Sequence, residues 1–234
     1  MCVYRIVVSL IYSRSVPINV HPFRIPTQLT MGKGEMGPSG LGDIANQRLP
    51  SAKPEKPKLE PPKNLLAMTE IRPYLFLSGF GCITQNKIKQ LGITHAVDCT
   101  NLKNSRRFTD LQYLEVPVDD TAICKASQYF ETVANFIEEA KNKGGKVVVF
   151  CAAGISRAPT FTLMYLIQKE SLSLKDAYFL VNELRPIISP NAGFWQQMID
   201  FEAAKNGESS VKLIRGRMAR PVPDVYLVRK PAIA

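Results

Sequence analysis

The 234-residue chain carries 30 Lys and Arg against 20 Asp and Glu, a formal net charge of +10, and 45 % of its residues are hydrophobic. That composition suits one globular domain with tails, and the charge favours acidic partners such as phosphoproteins, nucleic acid or anionic lipid without choosing among them. Five cysteines without a Cys-x-x-Cys pair, accompanied by only His21 and His95, speak against a structural zinc site and fit a reducing, intracellular setting.

The chain opens with the apolar run 6–12 and, up to residue 33, carries Arg5, Arg14, Arg24 and Lys33 with no acidic residue. This is a weak match to a mitochondrial presequence; an untargeted basic arm in a cytoplasmic or nuclear protein is the leading expectation. Five prolines between Pro50 and Pro62 deny this stretch both helix and sheet, so 1–67 reads as a disordered arm and linker. A folded domain is expected over 68–207, followed by a loosely ordered basic extension, 208–234, holding Lys212, Arg215, Arg217 and Arg220.

Within the domain, 71–79 reads as an edge strand with Pro73 tolerated near its start, then a short helix runs through Ile88 to Leu91. Strands follow at 94–99 and 111–118. Across 126–141, Tyr129, Val133, Phe136, Ile137 and Ala140 recur at helical spacing, and Gly144 and Gly145 end that helix. The β-branched run 146–150 reads as a strand buried on both faces, and helical patterns occupy 158–169, 174–184 and 193–204. The alternation predicts an α/β fold with a central, mostly parallel sheet flanked by helices, in which ligands bind at the carboxyl ends of strands. Cys151 sits at such an end. The longest apolar stretch, 147–155, falls far short of the ~20 residues of a membrane span.

The segment from Cys151 to Arg157 supplies a thiol, small residues (Ala152, Ala153, Gly154), then Ile155, Ser156 and an arginine at the mouth of a helix. Small residues let the chain curl so that successive N–H groups face inward, and the helix adds its positive end; together these make an anion nest. Arg157 can close the ring with a bidentate grip on phosphate. The same field favours a thiolate at Cys151, a nucleophile able to form phosphocysteine without metal or cofactor. The leaving oxygen needs a proton, and Asp119 and Asp120 follow a strand; alternation puts them on opposite sides, and periodicity does not say which faces the site.

The Cys-x-x-Gly-x-x-Arg loop, the upstream Val118-Asp119-Asp120 and the downstream run from Arg185 to Trp195, Arg-Pro-Ile-Ile-Ser-Pro-Asn-Ala-Gly-Phe-Trp, resemble the small atypical dual-specificity phosphatases over about residues 70–206. The resemblance implies a phosphatase-type fold with the phosphate loop between a central strand and a helix. It also implies that Cys151 is the nucleophile, that Arg157 binds phosphate, that Asp120 is general acid and then general base, and that Asn191 braces the loop. Expected substrates are proteins phosphorylated on tyrosine and on serine or threonine; nucleic acid is not expected. From its neighbours alone, Asn191 reads equally as a helix cap. Trp195, Phe194 and Tyr165 read as core.

Two positions depart from the family pattern, which has His before the cysteine and Ser or Thr after the arginine; here Phe150 and Ala158 stand there. Losing the hydroxyl at the second position predicts slower decay of phosphocysteine, on the order of tenfold to hundredfold for about 1 to 3 kcal/mol, with Ser156 as the candidate substitute. A catalytically impaired phosphoprotein-binding module is the alternative reading. Phosphoinositides or RNA 5′ ends are disfavoured because the loop has no Lys or Arg beyond Arg157 to meet additional phosphates.

Overall fold

Pro73 divides the first expected strand in two. In the computed structural model, which describes residues 67–103, 106–215 and 220–228, β1 (Thr69–Arg72) and β2 (Leu75–Gly79) pair antiparallel across a turn at Pro73 and Tyr74. Proline has no N–H to give a ladder, so the chain reverses there and frees β2 to enter the sheet interior. The expected single edge strand is therefore an edge strand plus an inner one. All described residues fall in one unit spanning 61–234; residues 1–66 of the expected arm and linker lie outside them.

After β2 come α1 (Gln85–Leu91), β3 (His95–Asp98), β4 (Gln112–Glu115), α2 (Phe130–Asn142) and β5 (Val147–Cys151). Three helices complete the domain: α3 (Arg157–Lys169), α4 (Leu174–Leu184) and α5 (Ala192–Asn206). Local chemistry sets several of these ends. The Thr84 hydroxyl caps α1 by accepting from Lys87 N–H, and Gly92 closes it in the left-handed region; Ser173 caps α4 by accepting from Asp176 N–H.

The five strands order as β1-β2-β5-β3-β4, with β2, β5, β3 and β4 mutually parallel and only β1 reversed. β5 is central. Val147, Val149 and Cys151 belong to the large core shared with α2, α3, α4 and α5, whereas Val148 and Phe150 belong to a smaller cluster with Phe76, Ile88 and Ala96 beside α1. A fully buried aliphatic side chain contributes roughly 1.5 to 3 kcal/mol, and the three valines of β5 are fully buried. The strand that delivers Cys151 is thus fixed from both faces.

The extension expected to be loosely ordered packs on the domain where it is described. Val211 and Val225 are buried, β6 (Leu213–Ile214) pairs with β7 (Val222–Pro223), and the Tyr226 hydroxyl accepts a hydrogen bond from Trp195 Nε1 at 3.0 Å. Apolar residues interleaved among the basic ones give this segment a face to bury. Phe194, Trp195 and Tyr165 are all fully buried, as core residues.

Candidate active site

β5 ends at Cys151 and α3 begins at Arg157, so five residues make the whole connection. Gly154 makes the curl possible. Its φ of +67° is unfavourable for any other residue, and a Cβ there would lie 2.6 Å from the backbone carbonyl of Ser78. The curl brings Gly154 N–H to within hydrogen-bonding distance of Cys151 Sγ, at 3.2 Å. Cys151 is 2 % exposed, at the floor of the loop.

Arg157 opens α3 with a divided guanidinium. Its Nη1 donates to Thr100 O at 2.7 Å and to Val118 O at 3.3 Å, while its buried Nε has no hydrogen-bond partner among the described residues. A buried donor left unmade costs about 1 to 3 kcal/mol, so such groups are rare unless something completes them. The edge formed by Nε and its neighbour Nη2 has the geometry for two oxygens of a phosphate. The Ser156 hydroxyl does not cap α3, which leaves first-turn N–H donors of the helix uncommitted by its N-cap.

That hydroxyl is used elsewhere. Ser156 Oγ donates to Asp120 Oδ1 at 2.7 Å and accepts from Asn191 N–H at 3.1 Å. Asn191 Nδ2 also donates to Asp120 Oδ1, at 2.8 Å, and Asn191 Oδ1 caps α5 by accepting from Phe194 N–H at 3.0 Å. Asn191 makes both kinds of contact: its backbone amide meets the loop while its side chain caps α5 and reaches Asp120. Of the paired carboxylates, Asp120 is the one tied to the loop. Asp119 turns to Asn101, whose Nδ2 donates to it at 2.7 Å.

The loop has a second support that sequence reasoning missed. Arg185 is fully buried and donates from Nε to Gly154 O at 2.9 Å and from Nη2 to Ala153 O at 3.1 Å. Its Nη1 reaches Ala67 O and Thr69 Oγ1. Burial pulls its pKa down, against the raising influence of Cys82 and Cys151. By holding two carbonyls outward, Arg185 fixes the peptide planes whose N–H groups turn the other way. Ser189 N–H adds a third tie, to Ile155 O at 2.7 Å. An arginine that holds the loop through backbone carbonyls leaves no charge pattern in the sequence by which to find it.

Around the sulfur, Cys99 follows the neighbouring strand β3, its N–H donating to Phe150 O at 2.8 Å. Burial, with the adjacent Cys151 adding to it, pushes the Cys99 thiol well above its ordinary value, so it stays protonated. Phe150 turns to the opposite face of the sheet and stacks on Phe80 with ring centroids 6.1 Å apart. Ala158 is buried. Among the described residues no hydroxyl hydrogen-bonds Cys151 Sγ; Ser156, the candidate substitute, is committed to Asp120.

A sequence profile described as "Dual specificity phosphatase, catalytic domain" matches residues 75–204. The chain is 37 % identical to human dual specificity protein phosphatase 14 over 161 residues, covering 68 % of this chain and 80 % of that protein. With mouse dual specificity protein phosphatase 18 the identity is 32 % over 168 residues, 71 % and 88 % of the two chains. Among solved structures, human DUSP28 superposes with a TM-score of 0.57 at 27 % identity, covering 63 % of this chain and 97 % of that one. The human tyrosine phosphatase-like serine/threonine/tyrosine-interacting protein gives 0.56 at 32 % identity, with coverage of 59 % and 97 %.

Proposed function

Because the chain belongs to the dual specificity phosphatase family and is a protein phosphatase of that type, we propose that Cys151, Arg157 and Asp120 carry its chemistry in named roles. The observation that supports this most is the unpartnered Arg157 Nε in a loop that begins at Cys151. A phosphate seated on the Nε–Nη2 edge presents its phosphorus to Sγ. Sulfur forms the P–S bond as the bond to the tyrosine, serine or threonine oxygen breaks. The departing oxygen takes a proton from Asp120. Asp120 Oδ1 already accepts from Ser156 and Asn191, which leaves Oδ2 to carry that proton.

In the second half, Asp120 takes a proton from water, the water oxygen bonds to phosphorus, and the P–S bond breaks to return the thiolate and release inorganic phosphate. Among the described residues only Gly154 N–H hydrogen-bonds the sulfur, and Ala158 offers no hydroxyl. The second step is therefore the slower one. Ser156 and Asn191 act as positioning residues for Asp120, and Arg185 as a positioning residue for the loop. The basic composition and five cysteines with no Cys-x-x-Cys spacing support a cytoplasmic or nuclear site of action, which fractionation of cells expressing the tagged chain checks.

The experiment is turnover of an aryl phosphate and of phosphotyrosine and phosphothreonine peptides by the full chain and two variants. Cys151→Ser abolishes turnover of all three. Asp120→Asn slows the peptides, whose leaving groups are poor, more than an aryl phosphate with a good leaving group. Turnover intact in both variants would contradict the assignment. Binding without turnover in the unaltered chain would favour the impaired-module reading.

A further inference from the structure

Two aliphatic side chains are displayed beside the phosphate loop. Ile123 is 92 % exposed and Leu102 is 55 % exposed. Single exposed aliphatics are ordinary on a protein surface; position and rigidity set these two apart. Leu102 follows Asn101, which holds Asp119, and Ile123 lies three residues beyond Asp120. Arg157 joins the two segments again, through Thr100 O and Val118 O. Both side chains therefore ride on segments clamped to the residues that meet the phosphate.

The segment around Ile123 is fixed on either side of it. Thr121 N–H donates to Asp119 O at 2.9 Å, and Gln197 on α5 donates from Nε2 to Cys124 O at 2.9 Å and accepts from Ser127 N–H at 2.8 Å. Ala122 presses against α5 so closely that a Cβ at Gly193 would lie 1.9 Å from Ala122 O. The backbone is locked, yet the side chain at its apex buries almost nothing within this chain. Lys103 and Lys125 stand beside these aliphatics, both exposed, and among the described residues neither has an ion-pair partner.

We propose that Ile123 and Leu102 form a contact surface for apolar residues flanking the phosphorylated residue of a protein substrate, with Lys103 and Lys125 drawing acidic residues further out. The proposal rests on the phosphate being held at Cys151 and Arg157. It is continuous with that site: Asp120, Thr100 and Val118 tie the two segments to Ser156 and Arg157, so a polypeptide whose phosphate enters the loop comes alongside them, where aliphatics on a fixed backbone offer burial at low ordering cost. A preference built on apolar burial is insensitive to salt, whereas attraction to the lysines is screened.

The test compares two phosphotyrosine peptides, alike except for leucine or serine on both sides of the phosphorylated residue. Aryl phosphate, which has no flank, is the internal reference. The full chain is expected to favour the leucine peptide about tenfold in kcat/KM, at low and high salt alike. Ile123→Ser and Leu102→Ser each erode that ratio while aryl phosphate turnover stays within about twofold. The same ratio, read as affinity by fluorescence anisotropy on Cys151→Ser protein and on Cys151→Ser combined with Ile123→Ser, does not depend on turnover. Preference in binding without turnover in the unaltered chain supports the surface while contradicting the catalytic assignment. Equal handling of the two peptides, or a preference unchanged in both serine variants, overturns the proposal.

Discussion

Two polar clusters sit at opposite ends of the same sheet, and they differ in whether their hydrogen bonds are complete. At the amino ends of β2 and β5, Arg72 grips Glu170 with Nη2 at 2.6 Å and Nε at 3.1 Å, and Tyr74 donates to Glu170 Oε1 at 2.7 Å. Tyr165 donates to Glu138 Oε2 at 2.8 Å, Lys141 donates to Glu138 Oε1 at 3.1 Å, and the two phenol oxygens lie 3.2 Å apart. At the carboxyl end, among the described residues, Arg157 keeps a buried Nε without a partner and Cys151 has one donor. Both ends carry arginine, carboxylate and hydroxyl groups. Only one keeps a buried donor uncommitted, and that unfinished set of bonds distinguishes a site from a strut.

The largest expected effect breaks the unfinished end. Arg157→Lys keeps the charge but loses the planar fork, and kcat/KM should fall roughly 10²- to 10³-fold with little change in Tm. Calorimetry beside steady-state kinetics checks this. A variant that unfolds readily but turns over normally would make Arg157 a strut like Arg72.

Next in size is Ala158→Ser, which restores the hydroxyl that the family pattern has after the arginine. Decay of phosphocysteine should accelerate about tenfold to hundredfold, so that the burst of aryl alcohol seen in stopped flow shrinks. An unchanged burst in the variant would mean that the Gly154 N–H suffices and that the second step is not limited by the leaving sulfur.

The finished end should answer the other way. Tyr165→Phe removes one donor from Glu138 and should lower stability by about 1 kcal/mol in urea titration, with kcat/KM unchanged. The smallest effect is one of pH. Burial alone would raise the Glu138 carboxyl, but the Tyr165 hydroxyl and the Lys141 ammonium outweigh it and hold it below its ordinary value of 4.5. A carboxyl depressed in the folded state stabilises above its unfolded value, and that contribution fades as pH falls through the folded value. Glu138→Gln should therefore flatten the acid limb of the stability profile below about pH 4.5. An acid limb identical in the two proteins would remove Glu138 from the account.

How much of this was legible in the sequence follows from how far apart the partners are. Cys151, Gly154 and Arg157 lie within seven consecutive residues between a β-branched run and a helical pattern, so one local reading finds them. The choice of Asp120 over Asp119 depends on Ser156 and Asn191, 36 and 71 residues away, and alternation alone left it open. Arg185 reaches Gly154 across 31 residues through carbonyls that every residue possesses. Phe150 read as a departure with chemical consequences, but strand alternation places it on the α1 side, where it fills an apolar cluster. Pro73 carried its own signal, a missing donor, yet whether it begins an edge strand or divides two strands depends on whether β2 finds β5 beside it.

The central claim is that Cys151 itself carries the phosphoryl group between substrate and water. Acid quench of the full chain mixed with excess ³²P-labelled phosphotyrosine peptide, followed by peptide mapping, measures it directly. The account predicts label approaching one equivalent on the peptide containing Cys151, formed faster than phosphate is released and absent in Cys151→Ser. Steady phosphate release with no label on that peptide, undiminished in Cys151→Ser, would contradict it.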